Sequence, residues 1–238
     1  MSSRLQHIQA ACQITDAAFS YLLTLLPHHL TETQLAYQTR KFFRLHQATT
    51  AFPPIIAVNS HAATPHHRPT QRQIRSGDLV LIDIGCRLHG YCSDLTRTIF
   101  LGSPTPLQHQ VYRIVKRAYL AALKHLGDDR NKPTSEVARL LATTPRTVDV
   151  DRAARQVIAA AGYGKYFVHG TGHGVGRRIH QLPKISPKSK NYKLRTGMVI
   201  TIEPGIYLPH RFGIRLEDTV LITPTGYQLL THSPFLKL

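Results

Sequence analysis

Apolar residues recur at three- and four-residue spacing through HIQAACQITDAAFSYLLTLL, residues 7–26, which predicts an amphipathic helix that Pro27 ends. Thr31 and Gln34 form a capping-box signature that opens a second helix in TETQLAYQTRKFFRLHQ. From about 55 to 100 the pattern turns to β-rich runs, and residues 102–106 break it. A strongly periodic helix, QHQVYRIVKRAYLAALKHL, then runs to Gly127. The stretch 128–149 predicts a short helix framed by turns, DRAARQVIAAAGY (151–163) a fourth helix, and the chain from about 167 onward is strand-rich. Two helices followed by strands, twice over, predict an α+β domain built from two similar halves.

Two strand-rich segments carry acidic residues where apolar strands leave little reason for them. In LVLIDIGCRLHGYCSDLTRTIF (79–100) a polar turn, Arg87-Leu88-His89-Gly90, joins two β-rich arms. A turn centred between Leu88 and His89 sets Asp83 opposite Asp94. With no cation expected beside them, and with like charges facing each other destabilising a hairpin, something positive is expected between the two carboxylates. In MVITIEPGIYLPHRFGIRLEDTVLI (198–222), Glu203 and Glu217 are equidistant from His210, so they too can meet across strands. The period of two puts Arg215 on the face of Glu217.

The alternative is that strand carboxylates simply face water. Composition argues against it: the chain has only 13 Asp plus Glu against 30 Lys plus Arg, and a solvated strand face in so basic a protein should have drawn lysine. A glycine-rich segment, FVHGTGHGVGRRIHQLP (167–183), adds His169, His173 and His180, its small residues permitting close approach of backbone and ligand. It satisfies neither common phosphate-loop spacing. Four carboxylates with one imidazole, Asp83, Asp94, His173, Glu203 and Glu217, suit two divalent ions such as Mn, Co, Fe or Zn, and the natural chemistry of such a pair is hydrolysis.

The ordered set DIGCRLHGYCSDLTRT, HGTGHGVG, TIEPGIY and GIRLED resembles the pita-bread metallopeptidases. It is more similar to the Xaa-Pro branch, prolidase and aminopeptidase P, than to methionine aminopeptidase. The resemblance implies a pita-bread fold, in which two pseudo-symmetric halves surround a curved antiparallel sheet with helices outside. It implies that Asp83 ligates one metal alone, that Asp94 and Glu217 bridge two, and that His173 and Glu203 complete the other, with Mn the leading metal. By the same likeness Glu203 also manages a proton, and His66, His169 and His180 serve as proton-transfer or substrate contacts. Tyr207 and Arg215 match positions beside the substrate. The implied substrate is a peptide with proline in second position, and a homodimer is compatible. Methionine aminopeptidase activity, or a non-catalytic peptide- or histone-binding module of the same fold, are the alternatives. Three departures stand out: Gln181 follows His180 where the family usually has Glu, 238 residues are expected to hold a single catalytic domain with no separate N-terminal one, and the chain is strongly basic.

The remaining composition narrows the picture little. The formal charge of +17 invites a nucleic-acid reading, but the basic residues are dispersed and no nucleic-acid motif is present. No apolar run approaches the ~20 residues of a membrane span, and the N-terminus lacks a signal-peptide core, so a cytoplasmic location is expected. Cys12, Cys86 and Cys92 make no C-x-x-C pair and read as packing residues.

Overall fold

The computed structural model describes residues 3–129 and 145–235. Helix α1 (Ser3–Leu25) buries Ile8, Ala11, Thr15, Ala18, Phe19 and Leu22, and a 3₁₀ turn over Leu26–His28 follows at Pro27. Helix α2 (Glu32–Leu45) opens as its capping box requires: the Thr31 hydroxyl accepts from the Gln34 amide at 3.2 Å, and Gln34 Oε1 accepts from the Thr31 amide at 2.8 Å. Helix α3 (Pro106–His125) uses the same device through Thr105 and Gln108. Helix α4 (Thr147–Ala160) begins four residues before the expected Asp151 and so places that carboxylate inside the helix. The short helix expected within 128–149 falls largely on 130–144, outside the described residues. Among the described residues no helix is long and apolar enough to cross a membrane.

The first half contributes strands β1 (Thr49–Thr50), β2 (Ile55–Val58), β3 (Leu79–Ile84), β4 (Cys86–Leu88), β5 (Tyr91–Cys92) and β6 (Leu95–Phe100). Residues 59–78, expected to be β-rich, instead form a 3₁₀ turn (Asn59–Ala63) and an irregular loop. Pro65 and Pro69 supply no amide for a ladder there. Beyond α3 come β7 (Asp128–Asp129), β8 (Gly172–Gly174), β9 (Gln181–Ile185), β10 (Val199–Ile202), β11 (Gly205–Leu208), β12 (Phe212–Arg215), β13 (Asp218–Thr223) and β14 (Gly226–Leu229). The ladders are β2-β3-β6, β1-β4-β5, β11-β12 and the six-stranded β7-β14-β13-β10-β8-β9. All are antiparallel except β14 with β7.

The first hairpin departs from its expected register. Leu88 pairs with Tyr91 and Asp83 with Thr96, not with Asp94. The turn lies between His89 (φ 48°) and Gly90 (φ 80°), both left-handed, as a two-residue hairpin turn demands. The whole ladder therefore slides two residues from the expected pairing, which preserves the face, and Asp94 stays on the side of Asp83, diagonal to it. In the second hairpin Ile206 pairs with Ile214 and Ile202 with Asp218, the register centred on His210 that the sequence predicts.

Strand β3 is buried on both faces. Leu79 and Leu81 join Val111, Tyr112 and Val115 of α3, while Val80, Ile82 and Ile84 join Phe19 and Leu22 of α1 and Leu35 and Phe43 of α2. Full burial of each such side chain contributes roughly 1.5–3 kcal/mol.

Residues 94–98 bind residues 215–219 through side chains as well as backbone. Thr219 Oγ1 both accepts from the Asp94 amide (3.2 Å) and donates to the Asp94 carbonyl (2.8 Å), and Thr98 Oγ1 treats Arg215 in the same way. The Glu217 amide donates to the Thr96 carbonyl at 3.0 Å. Buried Arg97 donates to the Glu217 carbonyl, to Asp218 Oδ1 at 2.8 Å and to the Ser233 carbonyl at 2.6 Å. Arg97→Met should cost about 3–5 kcal/mol, because it strands the buried Asp218 carboxylate without its charge partner. Urea denaturation of the two proteins measures it.

Candidate metal centre

His173 is positioned by its neighbours. It lies on β8 between Gly172, where a Cβ would come within 2.0 Å of the Thr201 carbonyl oxygen, and Gly174, where one would come within 2.4 Å of that of Leu182. Only glycines let this strand sit so close to both sides. The His173 amide donates to Thr201 Oγ1 at 3.1 Å. Its Nδ1–H donates to the Gly174 carbonyl at 3.2 Å, which leaves the Nε2 lone pair facing Asp94 Oδ2 at 3.5 Å and Glu203 Oε1 at 3.3 Å. A lone pair aimed at two carboxylates calls for a cation between them, a proton or a metal.

The carboxylates make the same demand. Asp83, Asp94, Glu203 and Glu217 converge with His173 on one cavity of about 990 Å³, and ligating atoms of Asp94, His173 and Glu217 all lie within 4.8 Å of one another. Burial and then the charge of Glu217 push the Asp94 carboxyl well up, and burial and then the charge of Glu203 do the same to Glu217. Asp83 Oδ1 is buried without a hydrogen-bond partner, while its Oδ2 accepts from Arg215 Nη2. That arginine is the cation the hairpin pattern did not foresee; it arrives from β12, and burial still leaves the Asp83 carboxyl raised. Burial raises Glu203 as well, but the bond and charge of His173 dominate and hold it at about 2. Burial lowers His173, and Glu203 more than reverses it. One orphaned oxygen, mutually repelling carboxylates and one inward lone pair fit divalent metal ions.

The other expected residues fall in two sets. His66 and His180 are exposed at the cavity, with the His180 ring edge-on to His173 at 4.5 Å; burial, then His173, lowers the His180 imidazole. His169, half-buried, also lines the cavity, and with buried Tyr207 it forms a relay. Arg215 Nη1 donates to Tyr207 Oη (2.6 Å), which donates to His169 Nε2 (2.7 Å), while His169 Nδ1–H donates to the Gly170 carbonyl (2.7 Å). Burial lowers His169, and burial raises the Tyr207 phenol to about 12, so the ring is neutral and the phenol keeps its proton. Both His169 nitrogens are thus engaged, and Tyr207 stands behind the cavity wall, not on it.

Sequence reasoning missed the clamp that holds this glycine-rich segment. Asp151 of α4 accepts from the Thr171 amide (3.1 Å) and hydroxyl (2.9 Å) and from a fork of Arg155. Arg155 in turn donates to the carbonyls of Phe167 and His169. Asp151 and Arg155 sit four apart, which reads as an ordinary helix-surface pair.

In metal-free protein, Asp94→Asn and Glu217→Gln should each raise Tm, since each removes a charge the fold holds at a cost. A raised folded pKa means that this cost grows as pH climbs above the ordinary carboxylate value, so the gain should widen from pH 4 upward. Thermal melts with and without Mn check it: each kcal/mol shifts Tm by roughly 2–4 °C, and the metal-induced rise of the wild-type chain should vanish in both variants.

The sequence profile of metallopeptidase family M24 matches residues 6–224. The chain is 36% identical over 234 residues to an uncharacterized peptidase, YqhT, of Bacillus subtilis, covering 98% of this chain and 62% of that protein. It is 39% identical over 227 residues to an Xaa-Pro dipeptidase of Pyrococcus furiosus, covering 95% and 61%. The solved prolidase from Pyrococcus furiosus superposes with a TM-score of 0.88 at 37% identity, over 98% of this chain and 65% of the other. The chain therefore spans about three fifths of the length of these relatives.

Proposed function

The chain belongs to metallopeptidase family M24, and from that premise we propose that it is a dinuclear metallopeptidase that hydrolyses the Xaa-Pro bond of dipeptides or at the N-terminus of longer peptides. The observation that carries the reading is the cavity floor, where four carboxylates and one imidazole lone pair converge with too few hydrogen-bond donors to satisfy them. Asp83, Asp94, His173, Glu203 and Glu217 would hold two divalent ions, Mn first among Mn, Co, Fe and Zn. Those ions supply an activated water and a Lewis acid for the scissile carbonyl.

The protein's own groups do the rest. Phe52, Pro53, Pro54 and Ile55 line the cavity with an apolar wall that suits a pyrrolidine ring. Glu203 takes the proton of the attacking water, and that proton passes to the proline nitrogen as the C–N bond breaks. His66 and His180, on the exposed side, contact the substrate carbonyl or the departing proline nitrogen. The Arg215–Tyr207–His169 relay fixes the neutral tautomer of His169 and orients Arg215 on Asp83. The Pyrococcus furiosus relatives named for Xaa-Pro dipeptide and prolidase activity support the same substrate class.

Metal-stripped protein reloaded with Mn, Co, Fe or Zn should cleave Xaa-Pro dipeptides or longer Xaa-Pro peptides, and Asp94→Ala should fall to background. Cleavage only of Met-Ala-Ser would make it a methionine aminopeptidase, and a metal-replete chain inert toward every peptide would overturn the enzymatic reading. Tyr207→Phe, which breaks the relay while leaving the cavity wall intact, should lower kcat/KM about tenfold, the worth of one hydrogen bond to a charged group.

A further inference from the structure

Outside the cavity, the first turn of α2 holds a carboxylate that the chemistry above does not use. Glu32 is fully buried, and five donors converge on it. Oε1 accepts from the Val58 amide (2.9 Å) and His61 Nδ1 (2.8 Å). Oε2 accepts from His67 Nε2 (2.9 Å), the Thr70 amide (2.9 Å) and the Thr70 hydroxyl (2.8 Å). The His61 and His67 rings stack on each other with centroids 4.5 Å apart.

These donors bracket a segment made of the end of the 3₁₀ turn Asn59–Ala63 and the irregular loop that follows it. Between the anchors lie Pro65 and His66, and just past His67 lies Arg68; all line the cavity. Glu32 itself does not line it. Backbone bonds from Glu32 to Arg72 and from Thr33 to Thr70 tie the same helix start to the far end of the loop. On the cavity side, Arg215 Nη2 reaches the Pro65 carbonyl at 3.4 Å. A buried carboxylate saturated with donors is costly to disturb, so its anchors have one geometry.

We infer that Glu32 is a positioning residue: its carboxylate latches the 61–70 loop and thereby sets the place of His66 in the cavity. Ligand atoms of Glu32, His61 and His67 also lie within 4.8 Å of one another, a spacing a metal would accept. The five donors already exceed the roughly four acceptor sites of a carboxylate, which favours the latch. Burial raises the Glu32 carboxyl, but the donors led by His67 outweigh it and hold it below its ordinary value, so the anchor stays ionised at neutral pH.

The inference rests on the peptidase reading, and its test has one arm that does not. In hydrogen exchange on metal-loaded protein, Glu32→Gln should speed exchange in 59–74 and leave 167–185 unchanged. In kinetics on an Xaa-Pro peptide, Glu32→Gln should cost about tenfold in kcat/KM in the native background but less than twofold when His66→Ala is already present. His61→Asn, which keeps a donor near the Nδ1 position, should remain within twofold of wild type, whereas His61→Leu should not; this pair carries the test if Glu32→Gln fails to fold. Equal losses in both His66 backgrounds, faster exchange in both loops, or a metal equivalent lost on His61→Leu but kept in Asp94→Ala would overturn the latch. Protein inactive on every peptide, yet with exchange changed only in 59–74, would refute the peptidase reading while leaving the loop anchored by Glu32.

Discussion

Everything at the cavity floor depends on the seam between residues 94–98 and 215–219. There, two hydroxyls, Thr98 and Thr219, each close a two-way bond with the backbone of the opposing half, and Thr96 Oγ1 donates to Glu217 Oε2 at 2.5 Å. The alternation of strand side chains then leaves Asp94 and Glu217 on the same side of the seam. Repulsion between them is a cost the seam must bear, and Arg97 bears part of it by gripping the Glu217 carbonyl from the opposite face. Neither half supplies the whole candidate ligand set alone: the aspartates come from one, and His173 and the glutamates from the other.

Much of this was legible in the chain. The capping box at Thr31, the helical periodicities of α1 and α3 and the symmetric spacing of Glu203 and Glu217 about His210 each rest on a local rule, and each appears where the rule places it. The first hairpin was misread because its turn depends on His89 taking a left-handed conformation. Histidine does this more readily than most residues, yet nothing in Arg87-Leu88-His89-Gly90 marks it over its neighbours. The slip was by an even number of residues, so the facing of Asp83 and Asp94 survived it.

What the sequence could not reveal is long-range. Arg215 lies 132 positions from Asp83, and Asp151 lies 20 from Thr171; period and propensity carry no information about which distant backbone a side chain will meet. His61, His66 and His67 are indistinguishable in composition, and only the buried carboxylate of Glu32 separates the two that it anchors from His66, which it does not bind. The recurrent device is a carboxylate on a helix holding an irregular segment: Glu32 for 61–70, Asp151 for 167–171.

Burial of carboxylates also sets the electrical character of the exterior. Glu32, Asp78, Asp83, Asp94, Asp151, Glu217 and Asp218 are all buried, so seven of the 13 acidic residues are withdrawn from solvent, while among the described basic residues only Arg97 and Arg215 are buried. To an approaching ion the molecule is therefore closer to a polycation than its formal balance suggests. Its colloidal behaviour, including adhesion to polyanionic surfaces and the spacing it keeps from copies of itself, is governed by ionic strength over a Debye length of about 8–10 Å at ordinary salt.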